Sequence, residues 1–329
     1  MKSRVSPAWW PALAVASPIL VPLLAVRNRW FQINCSRAAE RNRDRIAHAV
    51  PLEMPGLDTL ELTVLVEWKA KPGFLGDAGV SYVLTSELGS MAYDIGFGPV
   101  TPTLSHNAAK LGFHMDQVVA LTISHLHSDH MGGMPAARSR VVTVPSELMS
   151  SHAKPCYLPD RGEASGFEAV QVEGPRMLAA GIASTGPLAR SLFMLGYTEE
   201  QALLARVHDK GLVVITGCGH PTVEVILKMV GRLSDEPIYA IAGGLHFPLT
   251  AGRGNRAGIQ FQMMMGTGKP PWRRMTDADL DRTIETINAA GPQRVLLSGH
   301  DTCDHALGRL TRELHAETEV LEAGATYRF

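Results

Sequence analysis

Four short apolar runs in this chain each end in one or more small residues and then a histidine. Residues 118–124 (VVALTIS) lead into His125, and residues 212–216 (LVVIT) lead through Gly217-Cys218-Gly219 into His220. Residues 238–242 (IYAIA) lead through Gly243-Gly244-Leu245 into His246, and residues 294–298 (RVLLS) lead through Gly299 into His300. Runs this short and this continuously apolar read as strands covered on both faces, which lack the polar alternation of a half-solvated strand. Parallel strands in a layered α/β domain bring their C-terminal ends to one edge, where ligands bind. Packing alone gives no reason for four histidines to arrive at that edge, so the pattern implies both an α/β domain and a site.

The first of these histidines opens a denser cluster, His125-Leu126-His127-Ser128-Asp129-His130, followed by Gly132 and Gly133. His125 and His127 leave a strand two residues apart and point the same way in extended chain. Asp129 and His130 then require a turn to return to the same place, and the two glycines supply the freedom for it. Neutral imidazoles with one carboxylate form the donor mixture favoured by Zn²⁺ and accepted by Fe or Mn. Without a cation such a cluster would collect protons near neutral pH; metal binding replaces that cost with bonds.

The chain's 329 residues include 31 Gly and 21 Pro, which suits a turn-rich α/β domain better than a helical bundle. A formal net charge of -1 gives no global attraction to polyanions, so no nucleic-acid partner is expected. Cys35, Cys156, Cys218 and Cys303 form no CxxC pair, and their spacing matches neither a zinc ribbon nor a disulfide framework.

The N-terminus differs from the rest. Residues 8–26 carry no charge, and as a helix they would cover about 28 Å, close to the hydrocarbon thickness of a bilayer. Trp9 and Trp10 at one end, with Arg27, Arg29 and Trp30 at the other, suit interfacial anchors. Pro18 and Pro22 are expected to kink or interrupt the helix. A signal peptide, with Lys2 and Arg4 before the apolar run, and an apolar extension packed on the domain are the other readings. The chain thus divides into residues 1–50, a hydrophobic segment with a basic linker, and residues 51–329, the functional domain. Arg27, Arg29, Arg37, Arg41, Arg43 and Arg45 follow the segment, so the positive-inside rule leaves a membrane-associated protein with its domain on the cytoplasmic side. The alternative is a soluble cytoplasmic protein.

Further elements can be read along the domain. A strand is expected over 60–67, a hairpin over 80–95 turning at Leu88-Gly89, and a helix over 104–111. A strand follows at 141–144, and 150–185 reads as loop-rich. Residues 198–204 read as a short helix or turn, or 201–207 as a strand. Helices are expected at 221–233, at 276–289 with Thr276 as N-cap, and at 303–314, with a last strand at 319–321. The loop at 251–274 holds Arg253, Arg256, Lys269, Arg273 and Arg274, which suits either a flap over an anionic, partly apolar substrate or a solvated loop with ordinary surface charge.

The motif His125-x-His127-x-Asp129-His130 resembles the signature of the metallo-β-lactamase superfamily, whose fold is a four-layer αββα sandwich. The resemblance runs from about residue 60 to the C-terminus. It implies that His125, His127 and His220 hold a first metal, and that Asp129, His130 and His300 hold a second. Asp94, in AYDIGFG, would orient the metal-binding loop without binding metal. The bridging aspartate of two-metal members falls here on Gly243-Gly244-Leu245-His246, which makes His246 an alternative ligand or a substrate-facing acid/base. Cys218 is expected beside the ligands, not among them, and Cys303 near them. The segments DAGVSYVL, DIGFGP, KGLVVITGCGH and IAGGLHF are similar to the branch of 7,8-dihydropterin-6-yl-methyl-4-(β-D-ribofuranosyl)aminobenzene 5'-phosphate synthase-like proteins. That branch has GCSH where this chain has GCGH, and a Cys beside the final His where this chain has SGHDTC.

The implied function is metal-dependent hydrolysis of an ester, phosphoester or related bond in a small anionic substrate. The cofactor would be one or two divalent ions, Zn²⁺ first, with Mn²⁺ or Fe²⁺ as alternatives. Asp129 would orient or deprotonate the attacking water, and His246 would donate a proton to the leaving group. A mononuclear-iron dioxygenase or a non-catalytic binding member of the same fold are the alternatives. A bridged di-iron oxidoreductase would be expected to carry Glu in place of His127.

Overall fold

A computed structural model describes residues 4–329, so Lys2, one of the basic residues before the apolar run, lies outside the described residues. Two seven-strand paths form the centre of the molecule. The first sheet runs Glu168–Gln171, Pro155–Leu158, Ala120–Thr122, Gly89–Tyr93, Ser81–Ser86, Leu60–Val66, Thr326–Arg328. The second runs Arg176–Ala179, Ile182–Ser184, Leu203–Val207, Gly211–Thr216, Ile238–Gly243, Arg294–Leu297, Glu317–Val320, with the short strand Gly56–Leu57 added beside Leu203–Val207.

Side chains alternate along each strand, so one set of residues faces between the sheets and the other faces outward. Leu62, Leu84, Met91 and Tyr93 of the first sheet share a buried cluster with Leu203, Val213, Ile215 and Leu296 of the second. Leu212, Val214 and Val295, one residue out of step, pack on the outer side with Ile226, Val230, Leu280, Ile284 and Leu310. These belong to the helices Val223–Leu233, Asp277–Ala290 and Asp304–Glu313. On the far side of the first sheet, Leu121 and Ala92 pack with Leu104 and Ala108 of the helix Thr103–Leu111 and with Met131 and Ala136. The order is helix, sheet, sheet, helix: the four-layer αββα sandwich.

Strands Gly211–Thr216, Ile238–Gly243 and Arg294–Leu297 are mutually parallel, and Gly89–Tyr93 is parallel to Ala120–Thr122. Their C-terminal ends therefore deliver Asp94, His125, His220, His246 and His300 to one edge.

Several elements differ from expectation. The stretch 150–185 contains the strands Pro155–Leu158, Glu168–Gln171, Arg176–Ala179 and Ile182–Ser184. Residues 198–200 are not helical: Gly196–Glu200 is a strand, paired antiparallel with Leu188–Leu192. The last strand, Thr326–Arg328, closes the first sheet against Leu60–Val66.

The N-terminal helix Trp10–His48 is continuous through Pro18 and Pro22. Each proline removes one backbone hydrogen bond, and the adjoining turns carry the helix across it. Its first half is long and apolar enough to cross a membrane, and none of its most apolar window is buried. The second half, expected as a linker, docks on the domain. Asn42 is buried; its Nδ2 donates to Ala189 O at 2.9 Å and its Oδ1 accepts from Ala189 N at 2.7 Å. Arg45 pairs with Glu199 at 2.6 Å, and Arg27 Nε donates to Phe193 O at 2.7 Å. The residues before the helix also touch the domain: Ser6 N donates to Gly258 O, and Trp9 Nε1 to Ala257 O, both at 2.9 Å.

Candidate metal centre

The strand Ala120–Thr122 ends two residues before Ser124-His125, and the chain then enters the single helical turn Ser128–Met131. Gly132 ends that turn at φ +110°, where a Cβ would lie 2.5 Å from Thr143 O, so only glycine fits. The turn folds Asp129 and His130 back toward His125.

Two donor groups result, each with its ligand-type atoms within 4.8 Å of one another: His125, His127 and His220, and Asp129, His130, Cys218 and His300. The ring centroids of His125 and His130, one from each group, are 4.1 Å apart. All six residues assigned to metal by resemblance are thus brought together, in the same two sets.

Cys218, expected beside the ligands, lies against the second set. Its Sγ lies 3.1 Å from His130 Nε2 and 3.1 Å from His300 Nε2. Of the two loops, 217–219 rather than 243–246 therefore brings a side chain against both His130 and His300. The reason is packing: Gly244 N donates to Gly217 O at 3.0 Å, so the 243–246 segment lies against the 217–219 loop. His246 instead turns aside at φ +58° and puts its ring 4.7 Å from that of His220. It forms a third grouping with Cys218 and His220. Cys303 stays out of the cluster, buried at the start of the last helix with Thr250 Oγ1 at 3.5 Å from its Sγ.

Buried acids hold the donors in place. Asp94, fully buried at φ +59°, accepts from Ser124 N at 2.6 Å, from Ser124 Oγ at 2.6 Å and from His130 Nδ1 at 2.7 Å. Glu67 accepts from Gly299 N at 3.0 Å, from Tyr82 Oη at 3.0 Å and from Ser298 Oγ, and Ser298 Oγ is 2.5 Å from His300 Nδ1. Glu200 accepts from Gly219 N at 2.7 Å and His220 N at 2.8 Å, which fixes the loop bearing Cys218 and His220. Burial raises its pKa to about 7. Carboxylates that fix the outer nitrogen of a metal-binding imidazole set its tautomer and orientation. Glu67 and Glu200 escaped the sequence reading; Glu67 follows an apolar strand, whereas Glu200 ends the polar strand Gly196–Glu200 and carries no local signal.

The electrostatics suit a cation. Burial first, then the neighbouring imidazoles, pushes the pKa of His125 and His220 well below the ordinary value. Burial likewise takes His127 to about 4 and His246 to about 3. These rings are neutral at pH 7, the form whose lone pair binds metal. Burial opposes the Asp129 carboxylate, yet His130, His300 and His127 together hold it well below the usual range. His125 Nε2, His220 Nδ1 and both His246 nitrogens are buried with no hydrogen-bond partner among the described residues. Buried polar atoms seldom stay unsatisfied, and here they converge where a metal would use them. The residues therefore fit a divalent ion.

The 251–274 loop is less available than its charges suggest. Arg253 donates to Gly299 O at 3.0 Å, to Thr302 O at 2.9 Å and to Asp304 at 2.8 Å, so it fastens the loop to the His300 segment. Lys269 pairs with Asp279 at 2.5 Å. The side chain of Arg256 lies outside the described residues.

Comparison with known proteins agrees with this geometry. Residues 75–228 match the family described as Metallo-beta-lactamase superfamily. A curated relative from Methanocaldococcus jannaschii, 7,8-dihydropterin-6-methyl-4-(beta-D-ribofuranosyl)-aminobenzene-5'-phosphate synthase, is 22% identical over 83% of this chain and 98% of its own length. Among solved structures, Tm1679, a metal-dependent hydrolase of the beta-lactamase superfamily, matches with a TM-score of 0.56 at 20% identity, over 82% of this chain and 98% of its own. The metallo-beta-lactamase fold protein YhfI from Bacillus subtilis matches with a TM-score of 0.50 at 16% identity, over 83% of this chain and 100% of its own. The family match over residues 75–228, the layer order and these solved structures together identify the metallo-β-lactamase fold in this chain.

Proposed function

We propose that the protein is a metal-dependent hydrolase that cleaves an ester, phosphoester or related bond in a small anionic substrate. The observation that carries this reading is the pair of adjacent donor sets, each within 4.8 Å, with His125 Nε2 and His220 Nδ1 of the first set buried and without a hydrogen-bond partner. His125, His127 and His220 would hold one ion, and Asp129, His130, Cys218 and His300 a second, with Zn²⁺ the first candidate for this donor mixture. Bound there, divalent ions supply Lewis acidity, lowering the pKa of a water toward neutrality and polarising the oxygen of the scissile group. Asp129, a quarter exposed at the cluster's edge, orients the attacking water through its free carboxylate oxygen. His246, neutral at pH 7 and with neither nitrogen hydrogen-bonded, would present its ring N–H to the leaving-group oxygen. The phosphate in the name of the Methanocaldococcus jannaschii relative supports an anionic substrate. Residues 8–26 would associate with a membrane, leaving the domain on the cytoplasmic side.

Elemental analysis of the full-length protein tests the reading. Two divalent ions per chain, with turnover of a phosphodiester or lactone substrate abolished and metal content reduced in His127→Ala, are expected. Turnover surviving in His127→Ala with normal metal content would overturn it. A single iron per chain would favour the dioxygenase reading instead.

A further inference from the structure

A cavity of about 110 Å³ adjoins the metal centre, with His220 and His246 on its inner wall. On the same measure one water needs about 10–15 Å³, so the cavity has room for a polyatomic group. Its outer wall carries Arg190, Thr222, Thr267, Lys269 and Arg282, together with Glu224 and Asp279.

Most of these charges are already neutralised. Asp279 pairs with Lys269 and with Arg282, each at 2.5 Å, and also accepts from Thr276 N at 2.8 Å. Arg190 differs: its side chain makes no hydrogen bond or ion pair among the described residues. It projects from the strand Leu188–Leu192 and lies against Gly268, where a Cβ would come 2.5 Å from its Nε. A largely buried guanidinium with no hydrogen-bond partner carries a desolvation cost that Glu224 and Asp279 offset only through space and an anion in the cavity would offset directly.

Two further features face the same space. The helix Val223–Leu233 begins at Thr222 with no side-chain cap. The N–H groups of Val223 and Glu224 and the Thr222 hydroxyl have no acceptor among the described residues, and all three residues line the cavity. An open helix N-terminus favours negative charge. His246, only 7% exposed and with neither nitrogen hydrogen-bonded, lines this space beside the donor His220.

We propose that this cavity is an oxyanion subsite: Arg190, the open N-terminus of the helix Val223–Leu233 and Thr222 bind a phosphate-type tetrahedral group on the substrate while its scissile bond lies at the metal centre. The proposal rests on the hydrolase reading for the second half of that statement alone; the binding of the oxyanion stands by itself. Arg190 then sets specificity, admitting substrates with a phosphate one short spacer away from the bond that is cut.

Calorimetric titration of inorganic phosphate into the full-length protein as purified tests the subsite. Arg190→Gln should weaken phosphate binding about tenfold or more, the usual loss for a charge-assisted hydrogen bond in a buried site. Glu224→Gln removes a negative charge from the rim and should tighten it; this variant decides the matter if Arg190→Gln fails to fold. Metal content should match the wild type in both. If both variants bind phosphate like the wild type, or the wild type binds none, the subsite is wrong. Competition by glycerol 3-phosphate would assign a soluble phosphomonoester, and competition confined to phosphatidate vesicles a lipid headgroup; either supports the oxyanion site, and competition by neither overturns it. His127→Ala fails only with the hydrolase reading, whereas the phosphate titrations fail only with the subsite.

Discussion

Cys218 sits between the imidazoles of His130 and His300, with its Sγ 3.1 Å from each. Burial raises its pKa, and His130 and His300 act in the opposite direction. A thiol in that position can only pack or bind metal, and the two roles separate cleanly by experiment. Cys218→Ala should remove about one metal equivalent per chain and leave the ion held by His125, His127 and His220, with hydrolysis strongly reduced. Elemental analysis that finds the wild-type metal content in Cys218→Ala would make the thiol a packing residue. The neighbouring donors were readable because His125, His127, Asp129 and His130 are contiguous, so one turn of chain decides their convergence. Cys218 was harder to read: two histidine-bearing loops follow parallel neighbouring strands, and sequence alone does not say which loop lies against His130 and His300. Glu67 reaches Ser298 and Gly299 across 231 and 232 residues, a contact that no local pattern encodes. Arg190 likewise gains its meaning from Gly268 and Thr222, which come to it from distant loops.

Among the elements, strands with long continuous apolar runs were legible and short ones were not. Residues 211–216 are buried throughout, and the run announces itself. Pro155–Leu158 and Ile182–Ser184 are four and three residues long, too short to show a period, and their pairing with distant strands is what makes them strands. The N-terminal helix shows the reverse error. Its second half is so polar that it reads as a linker, yet its docking depends on a few specific contacts rather than on an apolar stripe. Asn42 is the centre of that docking: it bonds both the N–H and the C=O of Ala189, a residue of the Leu188–Leu192 strand that also carries Arg190. Asn42→Ala leaves those two buried backbone groups without their partner. The expected loss is about 1–3 kcal/mol of stability, read from denaturant melts of the full-length protein. A change within a few tenths of a kcal/mol would mean that the helix merely rests on the domain. Because the hairpin also carries one wall of the proposed subsite, the same contact couples the helix to the position of Arg190.

At the scale of the molecule, the apolar half of the helix is bounded at both ends by contacts with one domain. Ser6 and Trp9 bond to Gly258 O and Ala257 O, and Arg27 bonds to Phe193 O. A helix perpendicular to a bilayer would carry its start about 28 Å away, to the opposite face from Arg27. Those contacts hold the start against the αββα domain instead, so the helix lies along the protein with its apolar surface outward. Val15, Ile19 and Leu23 are 85%, 70% and 61% exposed there, spaced four residues apart on one face. An uncovered helical face of that kind suits the interfacial plane of a membrane, where it would lie with the domain beside it. Nearby, Trp272 packs on Phe193 at 5.2 Å and is half exposed, as an interfacial anchor would be. The arrangement makes a topological prediction that a spanning helix does not share. In sealed vesicles, a membrane-impermeant maleimide should reach Ser6→Cys from the same side as Ser151→Cys, an exposed position on the domain, with detergent giving no further labelling of either. Labelling of the two from opposite sides would show that residues 8–26 cross the bilayer, and would require the contacts of Ser6 and Trp9 with the 257–258 loop to open when the protein enters a membrane.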